Sequence, residues 1–404
     1  MSRGPLYKTI SLAVALVVTA CAGQPAGNAP TSIEAPEAPS QAKAPIAVSP
    51  SSPGWQAQAR SLVGANNMSP LAAARVYAAL SVAQYAAVVA ADNSESNEGR
   101  SGIEAQRGAV AGASAQVLSF FFPAAATTLE QRVSTEGEMG PGNVHPHFTR
   151  GVAIGRGAGT AVVDRAKNDH FTAPWTGTVP TGPGKWVANG PPAGATFGGV
   201  TPYLLTSGSQ FRSPLPPAWG SPAFLTDLAE IKTIEVNRTQ AQRDIANSWN
   251  YPTGTFTPPG YWNLTTSNYV NAYGLDERAA THAFALTSVA MMDALIGCWD
   301  AKYYYWVIRP SQADPSITLV FGLPNHPSYP SGHSCASAAA GTVLAYLFPD
   351  AAAEVSAWVT EAGLSRMYAG IHYRFDITAG QNLGNAVGQW AIARDQTGPL
   401  AAIH

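Results

Sequence analysis

The long apolar stretches of this chain are rich in alanine rather than in valine and isoleucine, which favours helices over sheets. The clearest is LAAARVYAALSVAQYAAVVAAD (71–92), where Ser69 can cap a helix and Pro70 suits its first position. Arg75 and Gln84 interrupt it, so we interpret it as a buried helix although it is long enough to span a membrane. Further helices are predicted near 103–120, 126–137, 147–168, 222–233, 238–248, 276–300, 332–347, 350–368 and 374–394.

One region, 171–220, breaks the helical pattern. It is full of glycine, proline and aromatic residues and contains GPGKW and SPLPPAW. Because it is too apolar for a linker and too broken for a helix, we expect an ordered excursion wrapped on the helices. Elsewhere YAALSVAQYAA (77–87) is similar to FALTSVAMMDA (284–294), which fits two helical halves. The predicted fold class is all-α, with two packed helical bundles in one domain over residues 54–400.

The N-terminus has the features of an export signal. Residues 1–20 combine a positive start with the short apolar core TISLAVALVVTA, and they end in VTAC. This ending resembles a bacterial lipobox, in which Cys21 is lipidated, and Ala22 resembles the signal for the outer membrane facing the periplasm. The alternative is an ordinary signal peptide cleaved near Ala22. Residues 21–53 are rich in Pro, Ala, Ser and Gly and are predicted to be a flexible tether.

Composition limits the possible functions. The chain has 404 residues, a formal net charge of -2 and only 12% charged residues, so no basic surplus indicates nucleic-acid binding. Its three cysteines do not form a disulfide framework. Whether Cys298 and Cys335 pair or stay free is left open by the sequence, as is the oligomeric state.

Three motifs in the C-terminal third carry candidate chemistry: KYYYWVIRP (302–310), PSGH (330–333) and SRMYAGIHYRFD (365–376). Taken singly, each has an ordinary explanation as solvated charges, a turn before a helix, or an ion pair on a helix. Taken together, they supply a complete set of groups for binding an oxyanion and acting on it. The set is Lys302, Arg309, Ser331, Gly332, His333, Arg366, His372 and Asp376.

The cations and small residues of this set suit a tetrahedral or trigonal-bipyramidal oxyanion. Arg309 and Arg366 offer planar forks to paired oxygens, and Lys302 adds a point charge. Ser331 and Gly332 are predicted to donate hydrogen bonds at a helix N-terminus, which favours anions.

The remaining three residues suit proton transfer and attack. His372 would present one ring nitrogen to the central atom of the oxyanion, while Asp376 would hold the proton on the other nitrogen. His333 would be the general acid or base.

The order and spacing of these motifs, Lys-x6-Arg-Pro, Pro-Ser-Gly-His and Ser-Arg-x5-His-x3-Asp, resemble the phosphatidic acid phosphatase type 2 / vanadium haloperoxidase superfamily. The resemblance implies an all-helical fold and one pocket for phosphate or vanadate. In the phosphatases the residue matching His372 attacks phosphorus and forms a phosphohistidine, and in the haloperoxidases it ligates vanadium. The likeness extends over roughly 54–395, and GPGKW, DAKYYYWVIRP and GIHYRFD look most like the bacterial haloperoxidases.

The resemblance therefore favours a haloperoxidase that uses hydrogen peroxide and a vanadate cofactor to oxidise a halide. The alternative is an acid phosphatase that hydrolyses phosphomonoesters in the same pocket without a cofactor. A third possibility, a lipoprotein that captures phosphate or scaffolds an envelope partner, is disfavoured because capture requires neither a nucleophile nor a proton carrier.

Two further features concern the surroundings of the pocket. His326 lies seven residues before His333, where chloroperoxidases resemble one another in having Phe and bromoperoxidases tend to have His. This predicts a preference for bromide or iodide, although His326 also fits a simple turn before Pro327. The aromatic run 303–306 would either line the pocket or pack in the core.

Overall fold

The computed structural model describes residues 49–94, 100–139 and 145–397. Within these ranges the chain is helical and strand pairing is limited to two isolated bridges, which confirms the predicted all-α class. The helices are α1 Ser52–Ala65, α2 Pro70–Ser94, α3 Arg100–Phe121, α4 Ala126–Gly137, α5 Pro146–Lys167, α6 Pro222–Asn237, α7 Gln240–Ser248, α8 Thr257–Ala272, α9 Glu277–Tyr305, α10 Pro310–Ala313, α11 Gly332–Leu347, α12 Ala352–Tyr368 and α13 Arg374–Thr397.

The first bundle is built by α1–α5, and α3 packs against each of the other four helices. Helices α3 and α5 approach closely because glycine lies at their contact: a Cβ atom added to Gly155 would lie 2.0 Å from the carbonyl oxygen of Ala109. The core between α1, α2 and α3 includes the fully buried Trp55, Tyr77 and Leu80.

The second bundle is built by α9, α11, α12 and α13, and α11 packs against each of the other three. With 29 residues, α9 is about 44 Å long and packs on α2 as well as on α11 and α13. Ser81 and Ser288 meet at this junction with 3.3 Å between their hydroxyl oxygens, so the two similar segments 77–87 and 284–294 do lie against each other. The prediction of two packed bundles is confirmed.

Helices α2 and α9 have the length and hydropathy of membrane spans among the described residues, but 89% of each apolar window is buried in the protein. This is the pattern of core helices.

At its N-terminal end α9 also anchors the start of the described chain, since the Glu277 carboxylate accepts the backbone N–H groups of Ser51 and Ser52.

The excursion 171–220 is ordered and wraps the C-terminal end of α9, as predicted. The backbone N–H of Trp186 donates to the Trp306 carbonyl (2.8 Å), and that of Ile308 donates to the Gly184 carbonyl (3.0 Å). Farther along, Asp293 of α9 accepts three consecutive backbone N–H groups, those of residues 203–205. Burial raises the pKa of Asp293 to about 6.

Three helices were not predicted from the sequence: α1, α8 and the short α10. Helix α1 begins at Ser52, two residues before the predicted domain boundary at 54. Helix α8 was not predicted, because its first turn reads TPPG and Thr and Asn are frequent in the rest. It forms because Trp262 and Tyr269 are buried in the core, so tertiary packing overrides local preference. The signal peptide, Cys21, most of the tether and residues 398–404 lie outside the described residues.

Candidate active site

The predicted site residues lie at the beginnings and ends of five helices, and these helix ends come together at one place. Lys302 lies in the last turn of α9 and Arg309 directly precedes α10. Ser331 is the N-cap of α11, where its hydroxyl accepts the backbone N–H of Ser334 (3.4 Å). Arg366 lies in the last turn of α12. His372 follows α12, and Asp376 lies in the first turn of α13.

His372 is held in one protonation form by its partners. Its Nδ1 lies 2.8 Å from Oδ2 of Asp376, and its Nε2 lies 3.0 Å from Nη1 of Arg309. Because the guanidinium can only donate, Nε2 carries the lone pair and Nδ1 carries the proton. Burial and the charges of Arg309 and Lys302 lower the pKa of His372, so its ring is neutral at pH 7.

The Asp376 carboxylate is itself fixed by its surroundings. Its Oδ2 also accepts the hydroxyl of Ser328 (2.5 Å) and the backbone N–H of Tyr373 (3.1 Å). The carbonyl of Asp376 accepts the backbone N–H of Ser331 (3.0 Å), which joins α13 to the start of α11. Ser328 was not identified from the sequence; the repeat PSYPSG around it is the only signal that could have drawn attention to it.

Lys302 is fully buried and donates to three backbone carbonyls. Its Nζ lies 2.9 Å from the oxygen of Pro327, 2.8 Å from that of Ser328 and 2.5 Å from that of Pro330. Since an ammonium group has three N–H bonds, all of them are engaged. Lys302 therefore shapes the loop before α11 and contributes its charge to the pocket.

Arg309 and Arg366 are buried as well and are partly satisfied by backbone. Arg309 donates to the carbonyls of His326 (3.1 Å) and Ile371 (2.7 Å). Arg366 donates to the carbonyl of Ala246 (2.7 Å). Burial lowers the pKa of Arg309 to about 10 and that of Arg366 to about 9.

The pocket has an excess of positive charge. Lys302, Arg309 and Arg366 are at most 1% exposed, and the one carboxylate among the site residues is Asp376. Burial lowers the pKa of each cation, so the charged forms destabilise the folded protein at neutral pH in the absence of a counter-ion. Three positive charges and one negative charge match a bound anion of about two negative charges, such as phosphate or vanadate.

Donors for such an anion remain at the start of α11. The backbone N–H groups of Gly332 and His333 have no acceptor within the described part of the chain, as expected for the first turn of a helix. Gly332 is needed here because a Cβ atom would lie 3.0 Å from the ring of Trp299.

The two other histidines of the pocket are neutral. The Nε2 atom of His333 lies 2.8 Å from the carbonyl oxygen of Trp249, and burial and Arg366 lower the pKa of His333. His326 packs on the ring of Trp299 (5.0 Å between centroids) and its Nδ1 lies 3.1 Å from Nη2 of Arg309. Burial, Lys302 and Arg309 lower the pKa of His326.

The aromatic run after Lys302 fastens the excursion. The hydroxyl of Tyr303 donates to the carbonyl of Ala193 (2.7 Å), and that of Tyr305 donates to the carbonyl of Ser213 (2.8 Å).

The sequence left open whether Cys298 and Cys335 form a disulfide. In the structure both are buried free thiols.

Comparison with known proteins points to the same region. Residues 279–397 match the family model of the PAP2 superfamily, and this segment contains all the predicted pocket residues. The fold is similar to that of the first bacterial vanadium-dependent iodoperoxidase, at 24% identity and a TM-score of 0.73 over 87% of this chain and 98% of that one. It is also similar to a bacterial vanadium-dependent chloroperoxidase in its holo form, at 15% identity and a TM-score of 0.64 over 82% and 93%. No curated protein sequence matches this chain.

We predict that inorganic phosphate stabilises the vanadium-free protein, because a bound dianion offsets the buried positive charge. At 100 times its dissociation constant, phosphate should add about 2.7 kcal/mol to the free energy of unfolding. Arg366→Gln removes one charge and should weaken phosphate binding by at least ~10-fold. The measurement is the thermal unfolding midpoint as a function of phosphate concentration.

The control is Arg156→Gln, which removes an exposed arginine paired with Glu130 in the other bundle. It should leave the phosphate effect unchanged. Equal stabilisation by phosphate in both variants, or by sodium chloride at the same ionic strength, would contradict an anion pocket at Arg366.

Proposed function

We propose that this chain, which belongs to the PAP2 superfamily, is a vanadate-dependent haloperoxidase that oxidises bromide or iodide with hydrogen peroxide. The observation that carries the proposal is the buried, neutral His372, whose Nε2 lone pair faces the guanidinium of Arg309 in a region with excess positive charge. The similarity to bacterial vanadium-dependent peroxidases extends through both helical bundles, and this favours the oxidase over the phosphatase.

The residues present fit vanadate, since the donor set matches its charge and provides one nitrogen ligand. His372 would hold it through Nε2; Arg309, Arg366 and the first backbone N–H groups of α11 would hold its oxygens. When bound, vanadate supplies a Lewis-acidic centre that activates peroxide toward the halide.

Asp376 and His333 have separate tasks in this chemistry. Asp376 keeps the proton on Nδ1 of His372, which preserves Nε2 as an electron-pair donor. Oxidation of a halide by peroxide to hypohalous acid and water consumes one proton, and we assign the transfer of this proton to His333. Burial of both histidines keeps them neutral before substrate enters.

The same geometry supports a second candidate, a phosphatase acting through a phosphohistidine. Phosphate and vanadate have similar charge and shape, and a neutral His372 is a competent nucleophile once its Nε2 lone pair turns from the N–H of Arg309 to the phosphorus atom. Asp376 would then stabilise the imidazolium that forms.

The first experiment loads vanadium-free protein with orthovanadate. We expect oxidation of bromide and iodide by hydrogen peroxide well above the rate of free vanadate. His372→Ala should abolish turnover, and His333→Ala should lower it by about 10²–10⁴-fold. Hydrolysis of p-nitrophenyl phosphate, run in parallel, gives the competing result: phosphate release that vanadate inhibits, with no halide oxidation, means a phosphatase. Full activity in His372→Ala would show that the pocket is assigned wrongly.

The choice of halide is proposed to depend on His326, which lies in the pocket against Trp299 and Arg309. The imidazole of His326 would place a polar group beside Arg309, at the proposed reaction centre. His326→Phe keeps an aromatic ring on Trp299 and removes this group, so relative activity should shift from bromide and iodide toward chloride. The measurement is kcat/KM for the three halides, and an unchanged ratio among them refutes the role of His326.

For its location, we propose that the chain is exported and held in the bacterial envelope by a lipid on Cys21, in the outer membrane facing the periplasm. The support is the sequence of residues 9–21, an apolar core that ends in VTAC. Radiolabelled palmitate should be incorporated into the protein in a bacterial host and should be absent from Cys21→Ala. Cleavage near Ala22 with no label on either protein would indicate an ordinary signal peptide.

A further inference from the structure

His333 is oriented by a residue far from it in sequence. Its Nε2 lies 2.8 Å from the backbone carbonyl oxygen of Trp249, which follows α7. A carbonyl oxygen can only accept a hydrogen bond, so Nε2 carries the proton of the neutral ring. The other nitrogen, Nδ1, has no hydrogen-bond partner in the described part of the chain and is left for a ligand.

Trp249 is itself fixed by its indole ring. Its Nε1–H donates to the Glu361 carboxylate on α12 (2.8 Å). The ring is 4% exposed and packs against Tyr261 (4.7 Å between centroids) and Trp262 (6.2 Å). These contacts fix the position of Trp249, and with it they restrain the carbonyl that holds His333.

A second contact ties the same short helix to α12. Nη2 of Arg366 donates to the carbonyl of Ala246, near the C-terminal end of α7. Carbonyls at a helix C-terminus lack partners within the helix and carry a partial negative charge, so they suit a guanidinium and an imidazole N–H. Glu361 and Arg366 thus hold the end of α7 at two points from one helix.

We propose that Trp249 and Glu361 are positioning residues for His333. They fix its proton on Nε2 and leave Nδ1 as the nitrogen that exchanges a proton with the bound oxyanion or its leaving group. The inference rests on the proposed function only in giving His333 an acid–base role, and it applies equally to halide oxidation and to phosphoester hydrolysis.

The reason such positioning matters is that a neutral imidazole has two tautomers. Only the Nε2–H form offers a lone pair at Nδ1, and only a fixed ring offers it in a constant direction. Loosening the carbonyl of Trp249 would allow the other tautomer and other ring orientations. Binding of the oxyanion would change little, because the charges of Lys302, Arg309 and Arg366 remain.

Three variants test the proposal. Glu361→Leu removes the acceptor for the indole N–H, and Trp249→Phe removes the donor but keeps a ring. The matched control, Glu361→Gln, keeps an acceptor for the indole. Nitrogen-15 NMR of histidine-labelled, vanadium-free protein reports the tautomer, and the signal missing from His333→Ala identifies His333. Steady-state kinetics with vanadate and halide, or with p-nitrophenyl phosphate, give kcat and KM separately.

We expect wild type and Glu361→Gln to show the Nε2–H tautomer of His333. In Glu361→Leu and Trp249→Phe the signal should shift toward a tautomer mixture. In these two variants kcat should fall roughly 10-fold, a part of the 10²–10⁴ attributed to a general acid–base group. Their KM and their stabilisation by phosphate should stay within about twofold of wild type.

Other results overturn the inference. It fails if wild-type His333 carries its proton on Nδ1, or if both Glu361→Leu and Trp249→Phe keep the wild-type tautomer and kcat. It also fails if these variants lose phosphate stabilisation in proportion to kcat, because the residues would then support the whole pocket. Absence of turnover in wild type with either substrate counts against the proposed function, and the NMR result still decides the tautomer.

Discussion

Burial of three positive charges beside a single carboxylate is the constraint on which the site is built. Lys302, Arg309 and Arg366 can stay inside the protein only if their N–H groups meet acceptors, and most of those acceptors are backbone carbonyls. Carbonyls inside a helix are already occupied, so free ones occur at helix ends and in loops. This explains why α9, α10, α11, α12 and α13 begin or end around the pocket, with α7 closing it. The fold thus supplies the acceptors that an anion-binding pocket requires.

The sequence was sufficient to predict helices and candidate site residues where the signal lies in residues close together along the chain. Alanine-rich apolar segments with caps predicted most of the helices, and the spacing of the motifs singled out Arg309, His372 and Asp376, which the structure joins by hydrogen bonds. Prediction failed for α8, whose polar and helix-breaking residues are outweighed by the burial of Trp262. It also missed Trp249, since a backbone carbonyl that acts 84 residues away leaves no side-chain signature in the sequence.

The pocket separates binding from chemistry. On the proposed assignment, its cations recognise charge and shape, which phosphate and vanadate share, and a second group, His333 and His372, moves protons and electron pairs. Substitutions at this second group are therefore expected to change the reaction rate more than the affinity for the oxyanion. We assign His326, and the contact between His333 and Trp249, to the same group as His333 and His372.

The direction of α9 has a consequence for how the molecule would stand on a membrane. The described chain starts at the N-terminal end of this helix, where Glu277 binds Ser51 and Ser52, whereas Lys302 lies 25 residues, or about 38 Å, along the axis. If the N-terminus is lipid-anchored as proposed, the predicted tether joins the protein at the end of α9 opposite the candidate pocket. The point of attachment would then lie away from the side on which dissolved reactants reach the pocket.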